Sequence, residues 1–281
     1  MRFTKAHGLG NDFILVAEAD APSQREEWVR ALCERHRGIG GDGVVLHAPA
    51  PDGIRMTLVN SDGLTGEISG NGLRCLAALA VREGWAPSAH TVHTAVGPRP
   101  VEVAAAVDGI YRISTDLGVP GLGSRDVPMA LEPPREPVTA HPIEVGGRTL
   151  RVTATSMGNP HCGVFCDEVA DDALIATLGP ALENHPLFPQ RTNVEFITVR
   201  KEDEIRVRFW ERGVGPTEAS GTGSASAVVA SILNGRTGRE VRAVCDGGVL
   251  EVAWPEGGSI RQIGEASLVF DGDYGDYGVR S

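Results

Sequence analysis

The sequence predicts an α+β fold of two similar halves, each built from a curved sheet or barrel around one central helix. The first observation is a motif, Glu-x-Ser-Gly-polar-Gly, that stands at 67–72 and again at 218–223. Each copy, here called a Ser-Gly loop, runs into a segment that is apolar on nearly all faces, LRCLAALAV or SASAVVASIL. A helix that is apolar all round belongs inside a domain, so each half should enclose one such helix.

Three further pairs of motifs follow the same order in the two halves. LGNDF matches MGNPH, GIGGDGVV matches RTNVEFITV, and NSDG matches WERG, with nearly the same separation for each pair. A repeat of this kind indicates a duplicated fold with its site at the interface of the halves. The predicted domains are 1–118 and 119–265, with the crossing in a Pro- and Gly-rich stretch, and 266–281 is expected to complete the first domain.

The elements of the first half are predicted from local patterns. A turn over 8–11 precedes an apolar strand at 13–16. Ser23 is expected to cap a helix that ends near Gly38, because serine accepts hydrogen bonds from the first turn of a helix. A glycine-rich turn and a buried strand, GIGGDGVVLH, come next.

Later elements follow the same reasoning. A strand ends in the turn signal NSDG, and the first Ser-Gly loop then leads into a helix at 73–84. Alternating runs from His90 to about Leu117 predict a meander of strands. After Gly247, the runs VLEVAW and SLVF predict strands that close the second half.

Composition restricts the class of partner and the compartment. The chain has 281 residues, 41% of them hydrophobic and 22% charged, which is typical of a soluble globular protein. A net charge of -11 argues against nucleic acid or an anionic membrane as partner. No apolar run is long enough to span a bilayer, and the first residues enter a motif directly, so we expect neither a membrane span nor a signal peptide. The expected location is the cytoplasm.

The cysteines and glycine-rich turns indicate no cofactor. Five scattered cysteines, an odd number, are typical of reduced thiols rather than of a disulfide framework. Cys162 and Cys166 stand near His161, but the segment reads as a strand and has no second ligand pair, so zinc is not expected. Neither glycine-rich turn of the first half matches a dinucleotide- or phosphate-binding loop.

The Ser-Gly loops themselves predict an anion site. Each loop feeds a helix N-terminus, where N–H groups lack intrahelical acceptors and the helix dipole is positive. Two such ends facing each other could hold one small carboxylate or phosphate. A single Ser-Gly turn is usually simple loop chemistry, but the ordered repetition favours a functional site.

Seven motifs in order resemble the diaminopimelate epimerase family over essentially the whole chain: KAHGLGNDFI, NSDG, EISGNGLRC, SMGNPHCGV, RTNVEF, WERGVGPTEASGTGSA and DGGVLEV. The resemblance implies two pseudosymmetric domains and a homodimer. It also implies interconversion of LL- and meso-diaminopimelate, by two-base proton transfer at the α-carbon without pyridoxal phosphate or metal. Such an enzyme acts in lysine and peptidoglycan biosynthesis, and its expected partner is a small-molecule amino-acid substrate.

The resemblance also assigns residues to the substrate. The side chains assigned to substrate contact are Asn11, Asn60, Asn71, Asn159, Asn193, Glu211 and Arg212. Arg212 would grip the distal carboxylate, and Glu211 would accept from an ammonium group. The backbone N–H groups assigned to the reacting carboxylate are those of Gly70, Asn71, Gly221 and Thr222. His161 is a tuner of the acid or base, or simply a hydrogen-bonded histidine in a turn.

The sequence departs from the family at the two catalytic positions. Ser69 and Ser220 stand where the resemblance calls for cysteine, of which one thiolate removes the α-proton and the opposing thiol returns a proton. A free thiol has a pKa of about 8.5, whereas the pKa of a serine hydroxyl lies several units further from neutrality. Serine would therefore need an activating base that the sequence does not reveal.

Three explanations are open for the serines. The chain is an engineered double Cys-to-Ser form of an ordinary epimerase, a natural homologue that binds an amino acid without turnover, or a protein with different chemistry. Both changes are isosteric and five other cysteines remain, which favours the first. A racemase of another amino acid should differ at the distal contacts, which are retained here. A phenazine-type isomerase would need a carboxylic acid as proton carrier, for which Glu67 and Glu218 are the nearby candidates.

Overall fold

The computed structural model describes residues 1–66 and 68–275, which fall into two compact units. The first unit comprises Met1–Thr115 and the chain from Gly264 onward, and the second comprises Asp116–Ile263. Part of the segment expected to complete the first domain, 276–281, lies outside the described residues. Over the described part of the chain, none of the helices has both the length and the apolar character needed to cross a membrane.

The described residues form four α-helices, sixteen strands and one short 3-10 helix (Glu18–Asp20). The helices are α1 (Glu26–Cys33), α2 (Gly70–Arg82), α3 (Asp172–Glu183) and α4 (Gly221–Leu233). The strands are β1 (Arg2–Gly8), β2 (Asn11–Ala17), β3 (Gly43–Ala50), β4 (Gly53–Asn60), β5 (Ala89–Thr94), β6 (Gly97–Val103), β7 (Ile110–Asp116), β8 (Val138–Val145), β9 (Arg148–Ser156), β10 (Pro160–Phe165), β11 (Asn193–Lys201), β12 (Glu204–Glu211), β13 (Gly215–Thr217), β14 (Glu240–Cys245), β15 (Gly248–Ala253) and β16 (Arg261–Asp273).

The first unit is a closed barrel. Strands β1 to β7 lie side by side in chain order, and β16 lies next to β7 and also pairs antiparallel with β1. The pairs β2–β3 and β4–β5 are parallel, which requires the connecting segment to cross over. The pairs β1–β2, β3–β4, β5–β6 and β6–β7 are antiparallel. The predicted meander after His90 is therefore confirmed as β5, β6 and β7.

Helix α2 fills the inside of this barrel. Its residues Leu73 and Leu76 are fully buried in one apolar cluster with Phe13 and Leu15 of β2. The intervening Ile14 belongs to a second cluster, which α1 covers on the outer face. Strand β2 is therefore buried on both faces, which explains its uninterrupted run FILV.

The predicted bounds of the early surface helix are wrong at both ends. The helix begins at Glu26 and not directly after Ser23, and it ends at Cys33 and not near Gly38. Arg25 occupies the cap position without a side-chain hydrogen bond. The serine lies too far before the first turn to accept a bond from it. Helix α1 is held by its buried face instead, through Val29, Leu32 and other members of the outer cluster.

The second unit repeats the plan of the first. Its strands lie in the order β15, β14, β12, β11, β10, β9 and β8, and β13 pairs with the end of β12. The pairs β10–β11 and β12–β14 are parallel, at the places that correspond to the parallel pairs of the first unit. Helix α4 contacts strands from β9 to β15, so the sheet wraps around it, while α3 packs elsewhere on the sheet. The predicted α+β fold of two pseudosymmetric halves is thus confirmed.

Candidate active site

Three polar residues of the first unit lie together at one end of its barrel because of the strand register. This end, where β2 and β3 begin and β4 stops, is here called the edge of the unit. Strands β2 and β3 are parallel and begin close together, with Phe13 opposite Gly43. Strand β4 runs back along β3 and ends there, with Asn60 opposite Gly43. Three residues are therefore neighbours: Asn11 at the start of β2, Asp42 just before β3, and Asn60 at the end of β4.

Asp42 organises this edge. Its Oδ2 atom accepts from Nδ2 of Asn11 at 2.6 Å and from the backbone N–H of Asp12 at 3.0 Å. Its backbone oxygen accepts from the N–H of Ser61, directly after Asn60, at 3.1 Å. Asp42 was not predicted as a site residue, because GGDG indicates only a turn; the carboxylate within that turn is the available sequence signal.

The N-terminus of α2 reaches the same edge. Asn71 is 1% exposed, and its Nδ2 donates to Oδ1 of Asn11 at 3.0 Å. Its Oδ1 accepts from the fully buried guanidinium of Arg74. A Cβ atom on Gly8 would lie 3.1 Å from Cβ of Asn71, so glycine permits this close approach. In this unit, Asn11 and Asn71 are joined by a direct hydrogen bond.

A cluster of charged side chains connects to Asn11 through Asp42. The carboxylate of Asp12 pairs with Lys5 at 2.5 Å and with Arg35 at 2.9 Å, and Arg35 also pairs with Asp42 at 2.7 Å. Burial alone would raise the pKa of Asp12, but the hydrogen bonds from Arg35 and Lys5 outweigh it and lower the pKa to about 2. The carboxylate of Asp12 is therefore ionised at neutral pH.

The second unit builds a corresponding edge. Strands β10 and β11 are parallel, with His161 opposite Asn193, and β12 returns along β11 to end at Glu211. Asn159 stands just before β10, as Asn11 stands at the start of β2. Its Nδ2 donates to Oγ1 of Thr222, in the first turn of α4, at 3.4 Å. An asparagine thus bonds the second residue of the central helix in both units.

Both central helices are capped by the serine of a Ser-Gly loop. Oγ of Ser69 accepts from the backbone N–H of Gly72 at 3.1 Å, and Oγ of Ser220 accepts from that of Gly223 at 3.2 Å. A Cβ atom on Gly223 would lie 3.0 Å from Oγ of Ser220, so the hydroxyl sits tightly against the helix end. Each side chain therefore occupies the positive end of a helix dipole, a place that stabilises an anion.

Two residues with predicted roles in anion binding begin each central helix, directly after the capping serine. Gly70 and Asn71 begin α2, and Gly221 and Thr222 begin α4. The first N–H groups of an α-helix have no intrahelical acceptor and point away from its N-terminus. Each helix end is thus suited to a carboxylate oxygen, as the sequence predicts.

His161 lies in strand β10 rather than in a turn. Its Nδ1 lies 2.6 Å from Oε1 of Glu195, and its Nε2 lies 2.9 Å from Oδ1 of Asn159. His161 is fully buried, and Glu195 is 1% exposed. Burial raises the pKa of Glu195, although His161 opposes this rise. Glu195 was not predicted as a site residue, although it is the only charged residue in the otherwise apolar segment VEFITV.

The residues after β12 are held from their backbone. Oδ1 of Asn193 accepts from the N–H of Arg212 at 2.9 Å, and Nδ2 of Asn193 donates to the oxygen of Pro160 at 2.8 Å. Arg212 also donates from Nη1 to the oxygen of Gln190 at 3.2 Å. Oε1 of Glu211 accepts from Oγ1 of Thr217 at 2.7 Å. Asn193 therefore supports the position of Arg212.

The predicted site residues gather within their own units. The edge of the first unit holds Asn11, Asn60, Ser69, Gly70 and Asn71. The edge of the second unit holds Asn159, His161, Asn193, Glu211, Arg212, Ser220, Gly221 and Thr222. The two edges have the same construction, which the order of motifs predicts.

Comparison with known proteins agrees with this fold. A solved hydroxyproline epimerase from Agrobacterium vitis superposes with a TM-score of 0.70 at 15% sequence identity, covering 97% of this chain and 91% of that one. A solved phenazine biosynthesis protein of the PhzF family from Bacillus anthracis gives a TM-score of 0.64 at 15% identity, covering 96% of this chain and 97% of that one. These likenesses define the structural class to which the chain belongs.

Sequence comparison resolves the family within that class. The family model for diaminopimelate epimerase matches residues 3–119 and 153–269. The diaminopimelate epimerase of Pelotomaculum thermopropionicum is 43% identical over 279 residues, which cover 98% of this chain and 99% of that protein. This chain belongs to the diaminopimelate epimerase family.

Proposed function

We propose that this chain has the substrate site of a diaminopimelate epimerase, which interconverts LL- and meso-diaminopimelate by proton transfer at the α-carbon. The main support is the pair of serine-capped helix ends, each with its hydroxyl 3.1–3.2 Å from a first-turn N–H group. The reacting carboxylate would bind to N–H groups of these ends. Those groups would stabilise the enediolate-like charge that develops when the α-proton leaves.

The remaining polar residues would recognise the rest of the amino acid. Asn11 and Asn159 adjoin the helix ends through their hydrogen bonds to Asn71 and Thr222. Arg212 would bind the distal carboxylate with two parallel hydrogen bonds, and Glu211 and the amide oxygens of Asn60 and its neighbours would accept from ammonium groups. No metal or organic cofactor enters this proposal.

Serine at the two proton-carrying positions sets the expected activity. A serine hydroxyl is a far weaker acid than a thiol, and every unit of added pKa costs about 1.36 kcal/mol of base availability. We infer that the chain binds its amino acid but exchanges the α-proton very slowly. Cysteine at both positions should restore exchange.

The carboxylic-acid alternative has little support. A phenazine-type isomerase would carry the proton on an acid, and Glu218 is exposed, with its backbone oxygen bonded to the N–H of Gly247. The other candidate, Glu67, lies outside the described residues. A homodimer, which the resemblance implies, and a cytoplasmic location, which the composition favours, complete the proposal.

Ligand binding tests the proposed specificity without turnover. Calorimetry should give a dissociation constant for diaminopimelate at least about tenfold lower than that for L-lysine, which lacks the distal carboxylate; tenfold corresponds to about 1.4 kcal/mol. Arg212→Gln should remove this preference, because it removes the guanidinium. The matched control Arg148→Gln, at an exposed position at the start of β9, should retain it. Equal affinity of the unaltered chain for both ligands would contradict the assignment.

A further inference from the structure

A buried glutamate outside the predicted site holds the segment that carries Arg212. Glu183, the last residue of α3, is 6% exposed. Its Oε2 accepts from Nε1 of Trp210 at 2.7 Å, and its Oε1 accepts from the backbone N–H of Gly213 at 2.9 Å. Arg191 adds a third donor through Nη1 at 3.2 Å.

The stability of α3 gives no reason for this carboxylate. A negative charge at a helix C-terminus opposes the helix dipole, and burial adds a desolvation cost. The last turn of α3 contains no basic residue that would offset either effect. The three donors that do offset them all come from 191–213, so the hydrogen bonds connect α3 to that segment.

Those bonds fix the segment on both sides of two predicted substrate residues. Trp210 precedes Glu211 and Arg212, and Gly213 follows them. The indole of Trp210 packs so closely on α3 that a Cβ atom on Gly179 would lie 2.5 Å from it. Gly213 has a φ of 77°, which favours glycine and turns the chain sharply after Arg212.

We propose that Glu183 is a positioning residue for recognition of the distal carboxylate. It clamps Trp210 and Gly213, while Asn193 holds the N–H of Arg212, so that the guanidinium is presented in one fixed place. The proposal rests on the proposed function, since it takes Arg212 as the group that binds the distal carboxylate. Glu183 itself does not touch the substrate.

Glu183→Gln tests this role because it keeps the shape of the side chain but turns one acceptor into a donor. The dissociation constants of diaminopimelate and L-lysine are measured for this variant by calorimetry. The indole N–H signal of Trp210 is followed by NMR and assigned with Trp210→Phe. Glu204→Gln is the matched control: it removes a partly buried carboxylate at the far end of β12 that pairs with Arg242 at 2.9 Å.

The expected result is selective. Glu183→Gln should weaken binding of diaminopimelate about tenfold, leave that of L-lysine unchanged and shift the Trp210 signal, while Glu204→Gln does none of these. In an Arg212→Gln background, Glu183→Gln should cause no further loss, because the two residues act on the same contact.

Several outcomes would overturn the role. Unchanged affinity for diaminopimelate in Glu183→Gln, or an equal loss for both ligands, contradicts it. If that variant does not fold, Trp210→Phe, which removes one bond of the clamp, decides by the same selectivity. If the unaltered chain does not prefer diaminopimelate over L-lysine, the proposed function is overturned as well. If the unaltered chain has this preference and neither Glu183→Gln nor Trp210→Phe changes it, only the positioning role is overturned.

Discussion

The hydroxyl oxygen of Ser69 lies 3.1 Å from the backbone nitrogen of Gly72, at the N-terminal end of the helix inside the first barrel. Ser220 has the same relation to Gly223 in the second unit. A sulfur atom in either place would face a helix N-terminus, which stabilises a thiolate relative to a thiol. The scaffold around the serines therefore suits cysteine chemistry.

Cysteine at position 69 should have a lowered pKa. In Ser69→Cys the pH at which iodoacetamide labelling reaches half its maximal rate should fall below the ordinary thiol value of about 8.5. The natural cysteines provide internal controls, because burial raises the pKa of Cys33 and of Cys75 to about 12 and also raises that of Cys166. Peptide mass spectrometry locates the label, and a labelling midpoint at or above 8.5 would refute the helix-end argument.

The same hydrogen bonds should contribute to stability. Ser69→Ala and Ser220→Ala each remove an N-cap acceptor, which costs about 1 kcal/mol of the free energy of unfolding. Urea denaturation measures the loss. Ser88→Ala, at an exposed position outside the helices, is the control and should change little. If the cap variants match the control, the serines are not functioning as caps.

Asp12 should make the protein sensitive to acid. Its folded-state pKa of about 2 lies below the ordinary value of 3.8, so its contribution is present above pH 3.8 and is lost as the pH falls toward 2. The shift corresponds to about 2 kcal/mol of unfolding free energy. Asp12→Asn should be less stable at pH 7, and the difference should shrink between pH 4 and 2.

The control for Asp12 is Asp108→Asn, at an exposed position in a turn. Its stability should follow that of the unaltered chain at each pH. A constant stability difference between Asp12→Asn and the unaltered chain over this range would mean that the ion pairs with Lys5 and Arg35 do not hold the pKa down.

Glu195 should have the opposite pH dependence. Because burial raises its pKa above the ordinary value of 4.5, the folded state binds more protons than the unfolded state just above that pH. Stability should therefore fall as the pH rises from 4.5 through the raised pKa, and Glu195→Gln should lack this slope. Denaturation series from pH 4 to 8 measure it, with the exposed Glu202→Gln as control. Parallel slopes for all three proteins would contradict the raised pKa.

Sequence alone predicts the features that local pattern determines. The Ser-Gly loops combine glycines with an apolar run, and the presence of α2 and α4 directly after them follows from that combination. The predicted helix at 73–84 is observed at Gly70–Arg82, because the glycines of the loop already belong to its first turn. The duplicated order of motifs also predicts which loops share an edge. Ser23 was wrongly expected to be a cap because serine is as common in turns as at helix starts.

The supporting carboxylates could not be predicted in the same way. Asp42 bonds Asn11 from 31 residues away, Glu195 bonds His161 from 34, and Glu183 bonds Gly213 from 30. Each contact depends on the register of strands or on the packing of a helix, which no local pattern encodes. Glu195 in particular stands in an otherwise apolar strand, where only the structure reveals its partner.

We propose that Ser69 and Ser220 block proton transfer in this member of the diaminopimelate epimerase family. The most direct measurement is α-hydrogen exchange of LL-diaminopimelate in deuterated water, followed by NMR, for the unaltered chain and for the double variant Ser69→Cys, Ser220→Cys. We predict that only the double variant exchanges the α-hydrogen and forms the meso isomer. Exchange by both proteins at similar rates would show that serine acts with another base, and exchange by neither would contradict the assignment of diaminopimelate as substrate.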